Sequence, residues 1–170
     1  RGALSLALHV PAFVLNDADA AAWGEYMHGA GRAGSSNFAF VTVSTGIGGG
    51  LVLNNHLHTT AHGLHAELGY TLAPNDQPLE IVAGGAALSE SAGLVARAAA
   101  NLYVSLGITR VAIGGGLGLS AGYLQRVQAT IKQLGEPWDA LEVVRAELGV
   151  DAGLVGAAAW ASAQQAKRPL

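Results

Sequence analysis

Asn16-Asp17 stands at the head of an alanine-rich run, DADAAAWGEYMH, and four glycines crowd the stretch between Gly46 and Gly50 in VSTGIGGGLVL. An acid at the carboxyl end of a strand and the mouth of a helix lies where α/β sheets place ligands, and Asp17 there could accept the proton of an attacking hydroxyl. The same pair also reads as plain architecture, with Asn16 capping the helix and Asp17 complementing its dipole. The glycines suggest a different chemistry. Bare main-chain amides let an anion approach the backbone, so Thr45 and the N–H groups of Gly46, Gly48, Gly49 and Gly50 could wrap phosphate oxygens. A glycine-rich hairpin with a bulge is the architectural alternative.

A second cluster, VAIGGGLGLSAGYL, has the order strand, turn, helix, and Gly116 to Ala121 follows G-x-G-x-x-A. A dinucleotide site also needs an acid about 20 residues on, at the end of a second strand. Glu136 has the spacing but lies in the turn LGEPW. Two separate glycine loops suit a single nucleotide better, one at the phosphates and one, Gly114 to Gly116, under the adenosine. Glu67 and Glu80 sit among apolar residues and glycines, where a buried carboxylate needs a polar partner such as a sugar hydroxyl. Ordinary surface exposure is the other reading of both. His56, His58, His62 and His65 fall within one short stretch. They mix hairpin and loop without a strict ligand pattern, so they are expected to face solvent.

Local patterns predict the elements that must position these residues. Residues 2–8 read as the end of a helix, and Pro11 forces an extended entry into a short strand, Ala12 to Leu15. The helix opened by Asn16 follows, with Asp17 and Asp19 in its first turn. Phe38 to Thr45 is apolar on both faces, which predicts a central strand. Leu51 to Leu53 and Leu57 to Thr59 form a hairpin around Asn54-Asn55, residues that tolerate positive φ. Residues 61–78 are irregular. A helix over 86–106, a buried strand at 111–113, an amphipathic helix over 120–134, a strand at 141–145 and a final helix behind Asp151 complete a mixed α/β chain.

The chain has 170 residues, enough for one domain or one large lobe, and no internal repeat or long linker. It is 51% hydrophobic but only 12% charged, which implies that part of its surface is covered by a second lobe or a second copy. With a net charge of −3 and no basic run, nucleic acid and anionic membranes are poor partners. The absence of cysteine excludes disulfides and thiolate metal sites and agrees with a cytoplasmic location. Residues 1–20 imitate a secretory signal, but His9 and Pro11 interrupt its apolar core.

Taken in order, LNDADAAAWGEY, VTVSTGIGGGLVLNN, HGLHAELGY, LEIVAGG, VAIGGGLGLSAGYL and DAGLVGAAAWA resemble the ROK family of sugar kinases and repressors. Within it, they are most similar to the bacterial branch acting on N-acetylmannosamine. The resemblance implies an actin-like, ribonuclease-H-like ATPase lobe with a mixed sheet flanked by helices. It implies phosphoryl transfer from ATP, with Mg²⁺, to the 6-hydroxyl of N-acetylmannosamine or a related hexose, in amino sugar catabolism; the low charge fraction adds the expectation of a homodimer. It assigns Asp17 as general base and Asn16, Glu67, Tyr70 and Glu80 to the sugar. Ser44 to Gly50 becomes a phosphate loop, and Gly114, Gly115 and Gly116 the adenosine turn.

Three departures accompany the resemblance. The family's amino-terminal Asp-x-Gly-x-Thr lobe has no counterpart, so residues 1–170 read as a single carboxyl-terminal lobe. The cysteine-rich zinc loop is missing, so zinc is not expected, and Tyr70 replaces a histidine that binds zinc and sugar in the family. A further helical stretch that the family has between about Ala87 and Val95 is deleted. With one of two phosphate loops present, the readings stay open between an active kinase, the sugar-sensing part of a ROK repressor, and a truncated homologue that only dimerises.

Overall fold

A computed structural model describes residues 2–60, 65–85 and 88–166, with the backbone alone described at Ala33. The chain opens with α1 (Gly2–Leu8) and an extended segment, then α2 (Asp17–His28). A hairpin of β1 (Phe38–Val43), β2 (Ile47–Leu53) and the short β3 (His56–Leu57) comes next. Two helices, α3 (Leu79–Ala83) and α4 (Leu88–Leu106), lead to β4 (Arg110–Gly114), α5 (Tyr123–Leu134), β5 (Glu142–Arg145) and α6 (Ala152–Ala166). The sheet order is β3-β2-β1-β4-β5; β1 pairs antiparallel with β2 and parallel with β4, and β5 is parallel to β4.

The apolar run of β1 is explained by helices on both faces of the sheet. Phe38 and Phe40 pack with Ala22, Trp23 and Ala112 beneath α2 and α6. Ala39, Val41 and Val43 belong to the opposite core, with Val95 and Ala99 of α4 and Val127 of α5. Trp23 and Trp160 meet edge to face at 5.6 Å between ring centroids. The fully buried Glu25 accepts hydrogen bonds from the amides of Ala30, Glu147 and Leu148, so this carboxylate ties the end of α2 to the turn leading into α6.

Most local expectations hold, and the differences have physical causes. Asn54 and Asn55 take φ of 51° and 64°, the mirror-image turn that suits a tight hairpin. Residues 12–15 join no strand ladder among the described residues, and the sheet's edges are β3 and β5. The first strand ends at Val43 rather than Thr45, since Ser44 to Gly46 makes the turn. α5 begins at Tyr123, because Gly122 adopts φ 79° and breaks the earlier helical reading. The helix read from residue 86 is described from Leu88. No helix among the described residues is long and apolar enough to cross a membrane.

Candidate functional site

β1 and β4 are parallel, so their carboxyl ends emerge on one side of the sheet, the side where ligands gather in α/β folds. Two glycine turns meet there. Ser44 to Gly46 closes the β1–β2 hairpin, with the Ser44 amide donating to the Gly46 carbonyl at 2.9 Å. Gly115, at φ 82°, lies so near the end of β1 that a Cβ on it would stand 2.4 Å from the Val43 carbonyl oxygen. That carbonyl also accepts from the amides of Leu117 and Gly118. Gly84, after α3, presses on the first turn, with a notional Cβ 2.5 Å from the Thr45 carbonyl oxygen. The amides of Thr45, Gly46, Gly115 and Gly116 make no hydrogen bond to any described residue. Unpaired amides in adjacent turns form an anion-binding concavity.

The five-residue glycine tip expected from the sequence is corrected here. Only Ser44 to Gly46 is turn; Gly48, Gly49 and Gly50 lie within β2 and pair with Thr42, Val41 and Phe40. Their missing side chains serve packing. A Cβ at Gly50 would meet Ala22 at 2.6 Å and the Asp19 carboxylate at 2.9 Å, and one at Gly48 faces Ala18 at 3.6 Å. On the other face, Gly49 makes room for Leu68. The glycines let α2 lie directly on the strand, with Ala18 over Gly48 and Ala22 over Gly50. The amino end of α2 therefore points toward the Ser44–Gly46 turn.

That end carries Asn16 and Asp17. Asn16 Oδ1 accepts from the amides of Ala18 and Asp19 at 2.9 and 3.2 Å, so its oxygen caps the helix while its amide nitrogen makes no hydrogen bond among the described residues. Asp17 is exposed, with Oδ1 accepting from the Ala18 amide at 2.9 Å. Glu80, in α3, brings a carboxylate oxygen to 3.5 Å from a notional Cβ on Gly46. Tyr70 closes a short 3₁₀ turn, Leu68–Tyr70, and is 62% exposed. Gly69 of that turn packs on the Ile47 carbonyl and on the Glu80 side chain. Glu67 receives the His65 ring at 2.5 Å between Nε2 and Oε1.

Two neighbours of these residues were given no sugar or nucleotide role from the sequence. His65, expected to face solvent, is the partner of Glu67; His56 lies exposed in β3, and His62 lies outside the described residues. Among the described residues, no three histidine, aspartate or glutamate side chains are arranged to hold a metal ion. The second is Asp19, read only as a dipole partner. It is 1% exposed, and its Oδ1 is buried without a hydrogen-bond partner. Its signal was latent in the pattern, since α2 must bury one face and position 19 falls on it.

Burial raises the Asp19 carboxyl from 3.8 to about 6, with Glu67 and Asp17 adding to the rise and His65 opposing it. The folded protein then keeps a proton that the unfolded chain has already lost. Stability therefore falls as pH rises from about 4 to about 6, and the loss persists above. A shift of this size corresponds to about 3 kcal/mol at neutral pH. Asp19→Asn is expected to gain up to that amount in urea unfolding at pH 7.5 and little at pH 4.

A cavity of about 700 Å³ lies on the opposite face of the sheet between α4 and residues 71–79. Leu68, Leu79, Val95 and Trp138 line it, and Asn16, Asp17, Thr45, Gly46, Glu67, Tyr70 and Glu80 are not among its lining residues.

Comparison with known proteins agrees with this architecture. The model of the ROK family matches residues 1–85 and 80–164. N-acetylmannosamine kinase of Haemophilus influenzae is 35% identical over 92% of this chain. The alignment spans 65% of that relative's length. Among solved structures, the ROK hexokinase from Thermus thermophilus superposes with a TM-score of 0.81 at 29% identity, covering 94% of this chain and 70% of the other. A ROK family glucokinase from Streptomyces griseus, in complex with glucose and AMPPNP, gives 0.80 at 25% identity over 94% and 71%. The mixed sheet flanked by helices is that of these sugar kinases, the actin-like ATPase fold. Fold, ordered motifs and family match coincide: the chain belongs to the ROK family.

Proposed function

We propose that the chain is the carboxyl-terminal lobe of a sugar kinase that transfers the γ-phosphoryl group of Mg-ATP to the 6-hydroxyl of N-acetylmannosamine, acting as a cytoplasmic homodimer. The observation that carries this reading is the pair of turns whose amides make no hydrogen bond among the described residues, Thr45-Gly46 and Gly115-Gly116, beside the amino end of α2. Exposed amides suit phosphate oxygens, and an exposed carboxylate nearby suits a hydroxyl that must lose its proton. The similarity to N-acetylmannosamine kinases supports the choice of sugar.

In this reading the sugar lies against Glu67, Tyr70, Glu80 and the free amide of Asn16, with its 6-hydroxyl toward Asp17. Asp17 takes the hydroxyl proton as the oxygen–phosphorus bond forms, while the bond from the γ-phosphorus to ADP breaks and ADP leaves. The amides of Thr45 and Gly46 hold phosphate oxygens, and Gly114 to Gly116 lie under the adenosine. Gly48 to Gly50 support this arrangement from within the strand. Mg²⁺ arrives with ATP as part of the substrate, bound chiefly through phosphates and water. Its charge offsets that of the transferring group.

The reading is tested by coupled ADP release with N-acetylmannosamine and other hexoses, together with variants of the two turns. A Cβ at Gly46 would have only Glu80 Oε2 within reach, at 3.5 Å, and one at Gly116 would meet nothing within 4 Å. Gly46→Ala and Gly116→Ala should leave the melting temperature within error. Each should weaken ATP binding by about tenfold, equivalent to about 1.4 kcal/mol, by crowding the phosphates or the nucleoside. Sugar-independent ADP release, or unchanged nucleotide affinity in both variants, would count against the assignment.

A further inference from the structure

The cavity between α4 and residues 71–79 has no part in the mechanism as drawn. At about 700 Å³ it far exceeds the voids of a packed interior, which seldom hold more than a water molecule, and it falls in the size range of small-molecule pockets. The residues of α4 create it. Val95, Ala96 and Ala99 are buried in the core shared with β1 and β4. Leu94, Ala98 and Leu102, spaced at i, i+4 and i+8 along one helix face, are only partly buried and line the cavity. Ala98, in the middle of that row, leaves room that a leucine would fill. Leu68 and Leu79 of the facing wall adjoin Glu67 and Glu80 in the chain, yet neither acid reaches the cavity, so it is separate from the candidate site.

Its rim is polar. Arg97, Asn101 and Ser105 form a second row at the same spacing, beside the first. Ser105 Oγ donates to the Asn101 carbonyl, which leaves the Asn101 side-chain amide and the Arg97 guanidinium without a hydrogen bond or ion pair to any described residue. Arg97 shares α4 with one other charged residue, Glu90, about two turns away. We infer that the cavity is a binding site for an amphipathic anion: a hydrocarbon or aromatic body against the row of Leu94, Ala98 and Leu102, and a carboxylate or sulfonate head on Arg97 with the Asn101 amide beside it. The apolar walls supply the affinity, and the one cation among the lining residues sets the sign of the head and its orientation. A guanidinium meets such a head at contact distance, in charge-assisted hydrogen bonds. Asp76, the one acid among the lining residues, opposes an anion from the exposed turn at residues 73–77, where solvent and salt screen it. The inference does not depend on the kinase reading.

The probe is anilinonaphthalene sulfonate, an aromatic anion whose fluorescence rises in apolar surroundings, titrated onto the folded chain. Binding should saturate at one equivalent, and decanoate should displace the probe far better than decanol does. Arg97→Gln should weaken the probe by about tenfold, the loss expected for a charged hydrogen-bond partner. Asp76→Asn should tighten it by about 2- to 3-fold, the smaller effect of an exposed charge. Ala98→Leu should abolish saturable binding while leaving the melting temperature at or above that of the wild type. If that variant fails to fold, the two exposed positions, Arg97 and Asp76, still decide the matter. Binding that never saturates, equal displacement by decanoate and decanol, or an unchanged affinity in Arg97→Gln overturns the inference. Probe affinity that falls as the protein is concentrated, with a dimer that Ala98→Leu disrupts, would assign the groove to a second copy of the chain and overturn it as well.

Discussion

Asp17→Asn is expected to lower sugar-dependent ADP release by about 10²–10⁴-fold, the usual contribution of a positioned general base. The fold should hardly register the change. Asp17 is exposed, and its side chain accepts from the Ala18 amide, a bond an asparagine oxygen can accept equally well. Asn16, not Asp17, supplies the helix cap. The variant loses one favourable charge at the helix amino end, a cost of about 0.3–1 kcal/mol. A large fall in kcat with a nearly constant melting temperature and sugar KM would thus isolate proton transfer. Equal turnover by the two proteins would remove Asp17 from the mechanism and leave Glu67 and Glu80 as the acids to examine.

The largest effect on stability is expected at the crossing of α2 and α6. A Cβ on Gly156 would stand 1.6 Å from the Ala20 carbonyl oxygen, and one on Gly24 would stand 2.4 Å from that of Ala152. The obstacles are backbone, so no rotamer change relieves them. The two helices touch main chain to main chain. Gly156→Ala must push them apart and should cost about 3 kcal/mol or more in urea unfolding, at or beyond the upper end for overpacked cores. Because α2 carries Asn16 and Asp17, weaker sugar binding should accompany the loss. Gly153→Ala is the control on the same helix. Its nearest neighbour would be the Asp17 carbonyl oxygen at 3.9 Å, an ordinary contact. The alanine should there gain about 0.5–1 kcal/mol from helix propensity. Similar destabilisation at both positions would show that the crossing does not depend on Gly156.

Both predictions turn on glycines and acids whose meaning differs between the linear chain and the folded one. Within a few residues, the sequence by itself determined a good deal. The two asparagines at 54–55 specify a hairpin because both tolerate positive φ, and β1 declares itself covered on both faces because every position but Thr42 is apolar. The small-residue run at 152–166 is a helix over the span its composition predicts. The ordered motifs also identified the family, since their spacing carries more information than any one of them.

Tertiary structure alone decided what those residues face. Gly48 and Gly50 looked like loop and proved to be strand, because the reason for their missing side chains is a helix about 30 residues earlier in the chain. Residues 12–15 have strand composition but join no ladder among the described residues, because pairing is settled by where the rest of the sheet lies. Asp17 and Asp19 are nearly identical as sequence, yet one lies in water and the other in the interior. The physical reason is common to all three. Backbone preference and periodicity act over neighbours along the chain, whereas burial, desolvation and close backbone contact depend on segments that meet only after folding.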